Sequence, residues 1–185
     1  MDFHGTTILA LRHNGRVTVA GDGQVTLDKT VIKHKARKVR RIYNDQIIVG
    51  FAGATADALT LSEKLEGKLE RYNGNLIRSA VELARDWRTD KYLRRLEAMM
   101  IAVDENQMLL ISGTGDVIEP DEPVISIGSG SVAAQAAASA LMAHADDLGM
   151  DARGIVTEAM RIASSLCIYT NTDFSIEEIP EERQQ

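Results

Sequence analysis

A chain of 185 residues with 44% hydrophobic and 26% charged residues has the composition of one globular domain, long enough to bury a core without staples. The formal charge of −6 argues against nucleic acid as the main partner, although a local basic patch stays open. One cysteine, Cys167, excludes an internal disulfide framework and a CxxC zinc site, and it fits a reducing compartment.

The first eight residues lack the basic and apolar regions of a secretory signal. No apolar run approaches the roughly 20 residues needed to cross a bilayer. A soluble, cytoplasmic protein is expected, with no membrane partner.

Strands come first. Residues 7–12 and 16–20 are β-branched runs around His13-Asn14-Gly15, and Asn-Gly is a strong hairpin signal. Gly21-Asp22-Gly23 is read as the end of the second strand. Residues 38–42 and 46–51 form the next pair. Two helices follow. Ala54, Ala58, Leu61, Leu65, Leu69 and Tyr72 recur at spacings of three and four, with Thr55 as a candidate cap. Asn75 can cap the second helix, whose inward face is Leu76, Ala80, Leu83 and Trp87.

Strands return at 98–103, 107–112 and 116–118, and a short apolar run at 124–127 ends in Gly128-Ser129-Gly130. An Ala-rich helix is predicted over 132–145. Another begins near Asp151, with Ile155, Ala159, Ile162 and Leu166 on one face. Residues 174–179 read as a last strand, and 181–185 as a polar tail. Blocks of strands joined by hairpins favour antiparallel sheets, and two sheets between two helical layers would bury all these faces. No internal domain boundary is visible.

Four features carry possible chemistry. Gly5-Thr6-Thr7 is ordinarily just the start of a strand. Cleavage after Gly5 would instead expose an α-amine with a reference pKa of about 8, able to serve as base for the Thr6 hydroxyl. Asp22, between glycines, is most simply a turn residue, but could orient a lysine. In the basic run 33–41, alternation puts Ala36, Lys38 and Arg40 on one face and Arg37, Val39 and Arg41 on the other. An inward lysine there needs a carboxylate, and Asp22 is the candidate. Gly128-Ser129-Gly130 lacks both the nucleophile-elbow and dinucleotide-loop spacings, leaving a strand-to-helix turn with a capping Ser. His4, His13, His34 and His144 have no metal-ligand spacing, and Cys167 reads as a core residue.

Together these stretches are similar to the HslV (ClpQ) family, the proteasome-like peptidase subunits of the bacterial ATP-dependent protease HslUV. The matching runs are Gly5-Thr6-Thr7-Ile8, Ala20-Gly21-Asp22-Gly23-Gln24, Arg37-Lys38-Val39-Arg40-Arg41 and Gly50-Phe51-Ala52-Gly53. Ala80-Val81-Glu82-Leu83-Ala84-Arg85-Asp86-Trp87, Arg94-Arg95-Leu96-Glu97-Ala98, Ile127-Gly128-Ser129-Gly130 and Cys167-Ile168-Tyr169-Thr170-Asn171 continue the pattern over nearly the whole chain.

The resemblance implies an α+β fold, the four-layer αββα sandwich of Ntn-hydrolases and proteasome β-subunits. It implies residues 1–5 as a propeptide and 6–185 as one peptidase domain. The activity implied is an N-terminal-threonine endopeptidase, the proteolytic core of a two-component protease that degrades unfolded or misfolded proteins. Thr6 would be the nucleophile, Lys38 the active-site lysine, Asp22 its carboxylate partner, Ser129 the serine near the terminal amine, and the Gly50 N–H the oxyanion donor. A sodium ion would be held by the carbonyls of Ser164, Cys167 and Thr170. The implied partners are further copies in a double hexameric ring, the ATPase HslU and protein substrates. This chain has no Walker motif, so ATP belongs to the partner. Three departures stand out: Ser164 where the family usually has Gly, Ser131-Val132-Ala133 where many relatives have Gly-Pro-Tyr, and a longer 145–152 segment. Two other readings are a silent ring subunit whose Thr6 stays covered, and a nucleic-acid module built on 33–41.

Overall fold

Alternation along the strands assigns every core residue to a layer. The computed structural model describes residues 3–53, 55–91, 93 and 98–180. Strands β2 (Thr7–His13), β3 (Arg16–Asp22), β11 (Val124–Gly128) and β12 (Phe174–Ile179) form one sheet in the order β11-β2-β3-β12. Strands β6 (Val39–Ile42), β7 (Ile47–Ala52), β8 (Met99–Val103), β9 (Met108–Ser112) and β10 (Val117–Ile118) form the second, in the order β10-β9-β8-β7-β6. Every pairing is antiparallel.

Ile8, Ala10, Val17 and Val19 of the first sheet meet Val39, Ile48, Ile101 and Val103 of the second in an inter-sheet core. Their strand neighbours point outward to the helices. Leu9, Leu11 and Ala20 pack against α3 (Ser131–Ala143) and α5 (Ala152–Leu166), beside the one-turn α4 (Ala145–Leu148). Ile47, Val49 and Phe51 pack against α1 (Thr55–Arg71) and α2 (Leu76–Thr89). The observed order of layers is helix, sheet, sheet, helix, as expected from the element order.

Local chemistry accounts for the joints. Asn14 and Gly15 take positive φ in the β2–β3 hairpin. Tyr43, Asn44 and Asp45 are all left-handed between β6 and β7, and the Tyr43 N–H donates to Glu66 Oε1 at 2.8 Å. Asn75 caps α2 by accepting from the Arg78 N–H, and Asp151 caps α5 by accepting from the Gly154 N–H. Leu76, Ala80, Leu83 and Trp87 are buried as the periodicity predicts.

Several expectations need correction. Strand β3 runs on to Asp22 instead of breaking at Gly21. A Cβ at position 21 would lie 2.8 Å from Ile8 Cδ1 and 2.9 Å from Val39 Cγ2, so this glycine serves sheet-to-sheet approach, not a turn. Helix α1 begins at Thr55, which puts that residue inside the helix. The predicted 132–145 helix stops at Ala143, and the long 145–152 segment holds α4, closed by left-handed Gly149. Leu166 is 71% exposed, and Cys167 is the C-cap of α5, half-buried, so neither is a core residue. Ala54, residues 94–97 and residues 181–185 lie outside the described residues.

A third sheet was not expected. Strands β1 (Phe3–His4), β4 (Val25–Leu27) and β5 (Thr30–Lys33) pair in the order β1-β4-β5. Phe3 lies opposite Leu27 and His4 opposite Thr26, so the two residues of β1 run antiparallel along β4 just before Thr6. No helix among the described residues is long and apolar enough to cross a membrane.

Candidate active site

Residue Thr6 immediately precedes β2, between the small sheet and the main sandwich, and only 7% of it is exposed. Its backbone is clasped from the end of β11. The Ser129 N–H donates to the Thr6 carbonyl at 2.8 Å, and the Ser129 hydroxyl donates to the same oxygen at 3.2 Å. Ser129 thus meets Thr6 at its carbonyl. Gly128 makes room for this contact: its φ is +97°, and a Cβ there would fall 2.0 Å from the Thr6 carbonyl oxygen. The helix that follows is capped by Gly130 without a side-chain bond, so Ser129 is not a capping residue.

Asp22, at the end of β3, is fully buried. Its Oδ1 accepts the Thr7 N–H at 2.8 Å and the Lys38 ammonium at 2.9 Å, while Oδ2 accepts the Gln24 N–H at 2.9 Å. A buried carboxylate requires this many donors. Lys38 just precedes β6, with its side chain 9% exposed. Its Nζ donates to Asp22, to the Gln24 carbonyl and, at 2.9 Å, to the Gly5 carbonyl. Burial lowers the Lys38 pKa from the ordinary lysine value, and the neighbouring Asp22 opposes that shift.

The Thr6 hydroxyl lies on the same Gly5 carbonyl, 2.6 Å from its oxygen. The carbonyl of the Gly5–Thr6 peptide bond therefore receives the hydroxyl of Thr6 and the ammonium of Lys38 together. The inward lysine expected from the basic run is Lys38, and its partner is Asp22. The simple two-face alternation over 36–41 does not hold, because β6 starts only at Val39: Val39 is buried in the inter-sheet core, and Arg41 pairs with Glu177 at 2.8 Å.

Gly50 is placed differently from expectation. The Phe51 N–H donates to the Lys38 carbonyl at 3.1 Å, so alternation points the Gly50 N–H the other way, toward β8 and its register partner Ile101. A Cβ on Gly50 would sit 2.6 Å from Ile8 Cγ2. Its missing side chain serves close packing of the two sheets, and its N–H belongs to the sheet instead of facing Thr6.

Ser164, Cys167 and Thr170 fall along the last turn of α5 and the loop after it. The Ser164 hydroxyl bonds the Arg161 carbonyl, the Cys167 carbonyl accepts the Thr170 N–H, and Thr170 Oγ1 lies 2.7 Å from Thr7 Oγ1. Carbonyl oxygens at the negative end of a helix suit a hard cation. Among the described residues no group of three His, Cys, Asp or Glu side chains could hold a metal ion.

Two sheets between helical layers, with a threonine entering a central strand beside a buried Lys–Asp pair, define a proteasome-like Ntn-hydrolase fold. The family model for the proteasome subunit matches residues 2–179. Proteins named ATP-dependent protease subunit HslV from Sulfurihydrogenibium sp. and Syntrophobacter fumaroxidans are 63% identical over 174 residues and 59% identical over 176. Those matches span 94% and 95% of this chain, and 96% and 97% of the two relatives. The crystal structure of eukaryotic HslV from Trypanosoma brucei matches with a TM-score of 0.88 at 45% identity, covering 94% of this chain and 99% of that one. The chain belongs to the proteasome-subunit family, in its HslV branch.

Proposed function

We propose that this protein is a threonine-type endopeptidase whose nucleophile is Thr6, and that it serves as the proteolytic subunit of an ATP-dependent protease. The observation that carries the reading is the meeting of the Thr6 hydroxyl and the Lys38 ammonium on the Gly5 carbonyl.

In the chain as it stands, that geometry favours removal of residues 1–5. The Thr6 Oγ attacks the Gly5 carbonyl carbon, the Gly5–Thr6 C–N bond breaks, and the hydroxyl proton passes to the departing nitrogen. Water then hydrolyses the ester. The Lys38 ammonium holds the carbonyl oxygen as it gains charge. Once freed, the Thr6 α-amine serves as base toward its own hydroxyl, a role worth about 10²–10⁴-fold. The Lys38 charge lowers that amine's pKa and keeps it available as free base. Asp22 holds Lys38 in place, and Ser129 fixes the Thr6 backbone.

The edge of β4 that carries β1 is the place for a substrate. An extended chain added there would put its carbonyl where the Gly5 carbonyl lies, by strand addition. The relatives' names support an ATPase partner. Assembly with further copies as a double hexameric ring, protein substrates and work in the cytoplasm complete the proposal. A sodium ion on the carbonyls of Ser164, Cys167 and Thr170 would supply charge to brace the loop after α5, leaving the chemistry to Thr6 and Lys38.

Thr6→Ala should abolish peptide hydrolysis without changing assembly by gel filtration. Lys38→Ala should lower turnover by about 10²–10⁴-fold. Normal turnover in either variant contradicts the proposal.

A further inference from the structure

The loop joining α5 to β12 is tied to the site at three successive points. The Ile168 carbonyl accepts from Gln24 Nε2 at 2.9 Å, and Gln24 offers its own carbonyl to Lys38. Thr170 Oγ1 lies on Thr7 Oγ1, which also accepts the Gly130 N–H at 3.0 Å. The third tie is Asn171, and it reaches the two segments that carry the Lys–Asp pair.

Asn171 Oδ1 accepts the Gly23 N–H at 3.1 Å and the Asp173 N–H at 3.2 Å. Asn171 Nδ2 donates to the His34 carbonyl at 2.8 Å. Its partners distinguish the two ends of the amide: N–H groups face the oxygen and a carbonyl faces the nitrogen. Gly23 follows Asp22 directly, and His34 lies four residues before Lys38. These two backbones touch. The Ala36 N–H donates to the Gly23 carbonyl at 2.9 Å, and a Cβ on Gly23 would fall 2.3 Å from the His34 carbonyl oxygen. The 34–38 segment is thus laid flat on the end of β3, with the Asn171 amide across the seam.

We propose that Asn171 is a positioning residue: its carboxamide bridges the end of β3 to the segment leading into Lys38, and so sets the distance at which Lys38 meets Asp22 and the Thr6 site. It touches no reacting atom and acts through Lys38 and Asp22. Neither residue can be displaced cheaply from where the bridge holds it, because Asp22 is fully buried and Lys38 nearly so. A small shift of the 34–38 segment therefore changes where the ammonium points. The proposal rests on the threonine-peptidase reading.

The test compares Asn171→Asp and Asn171→Ala in the full chain, with Thr6→Ala as control. Intact mass follows loss of residues 1–5, a short fluorogenic peptide reports kcat and KM, and melting and gel filtration report fold and assembly. Asp has the shape of Asn but sets a carboxylate oxygen against the His34 carbonyl, so both variants should fail. The expected result is a fall in both processing rate and kcat of about ten- to a hundredfold, as for a misplaced catalytic group. KM should stay within about twofold of the parent, since substrate binding is not the lost interaction. Melting and elution should be unchanged, at least for the Asp variant. Parent-like kcat in Asn171→Asp, or losses that simply track melting, would overturn the positioning role. Hydrolysis surviving in Thr6→Ala would instead overturn the threonine reading itself.

Discussion

The two helical layers cover their sheets with different materials. Helices α1 and α2 pack Leu61, Leu65, Leu69, Leu83 and Trp87 onto β6–β10, a layer of large side chains. Helix α3 covers the β2–β3 sheet with Ala134 and Ala138, and α5 sets Ala159 and Ala163 among Ile155, Val156 and Met160. Small side chains let these helices ride close to the sheet that carries Thr6. They also bring the ends of α3 and α5 near enough for Gly130 and Thr170 to meet Thr7. One layer supplies bulk burial, at about 1.5–3 kcal/mol for each large side chain fully buried. The other supplies proximity, and its joints to the site are polar.

Substitutions of opposite sense sharpen that contrast. Leu65→Ala, in the bulk layer, should cost about 2–5 kcal/mol in denaturant unfolding and leave the kcat of the folded fraction near the parent value. Ala159→Leu, in the close layer, should cost less stability, about 1–3 kcal/mol, yet lower kcat, because overpacking pushes α5 and its loop off the sheet. If Leu65→Ala impaired kcat more than Ala159→Leu did, the division of labour between layers would be wrong.

A third variant probes the polar side alone. Burial lowers the Lys38 pKa, so its charge is lost at a pH below the ordinary lysine range. Peptide hydrolysis should decline there as pH rises. Asp22 opposes the shift, so Asp22→Asn should move the alkaline decline of the residual activity to still lower pH. A decline that stays put or moves upward would refute the pairing as a control on Lys38.

The sandwich was readable because its strands alternate cleanly and its turns carry Asn-Gly and similar signals. The small third sheet was not, since β5 is exposed throughout and leaves no apolar face to detect. The glycines misled for a physical reason. Gly21 looks like a turn residue, yet it makes room beside Ile8 of its own sheet for Val39 of the other, and Gly50, within its strand, makes room for Ile8 across the sandwich, which only tertiary packing reveals. An inward lysine in the 33–41 run was expected from its need for a carboxylate, and the family resemblance singled out Lys38; that local argument survived although the face assignment around it did not. Asn171 went unassigned because its partners, Gly23 and His34, lie 148 and 137 residues away along the chain.

The central claim is that Thr6 acts as an N-terminal residue, and intact mass of the purified, assembled protein tests it most directly. A chain lacking residues 1–5, beginning at Thr6, is the predicted form in active parent protein, while Thr6→Ala should keep those residues. Full peptidase activity in assemblies that retain Met1 to Gly5 would contradict it.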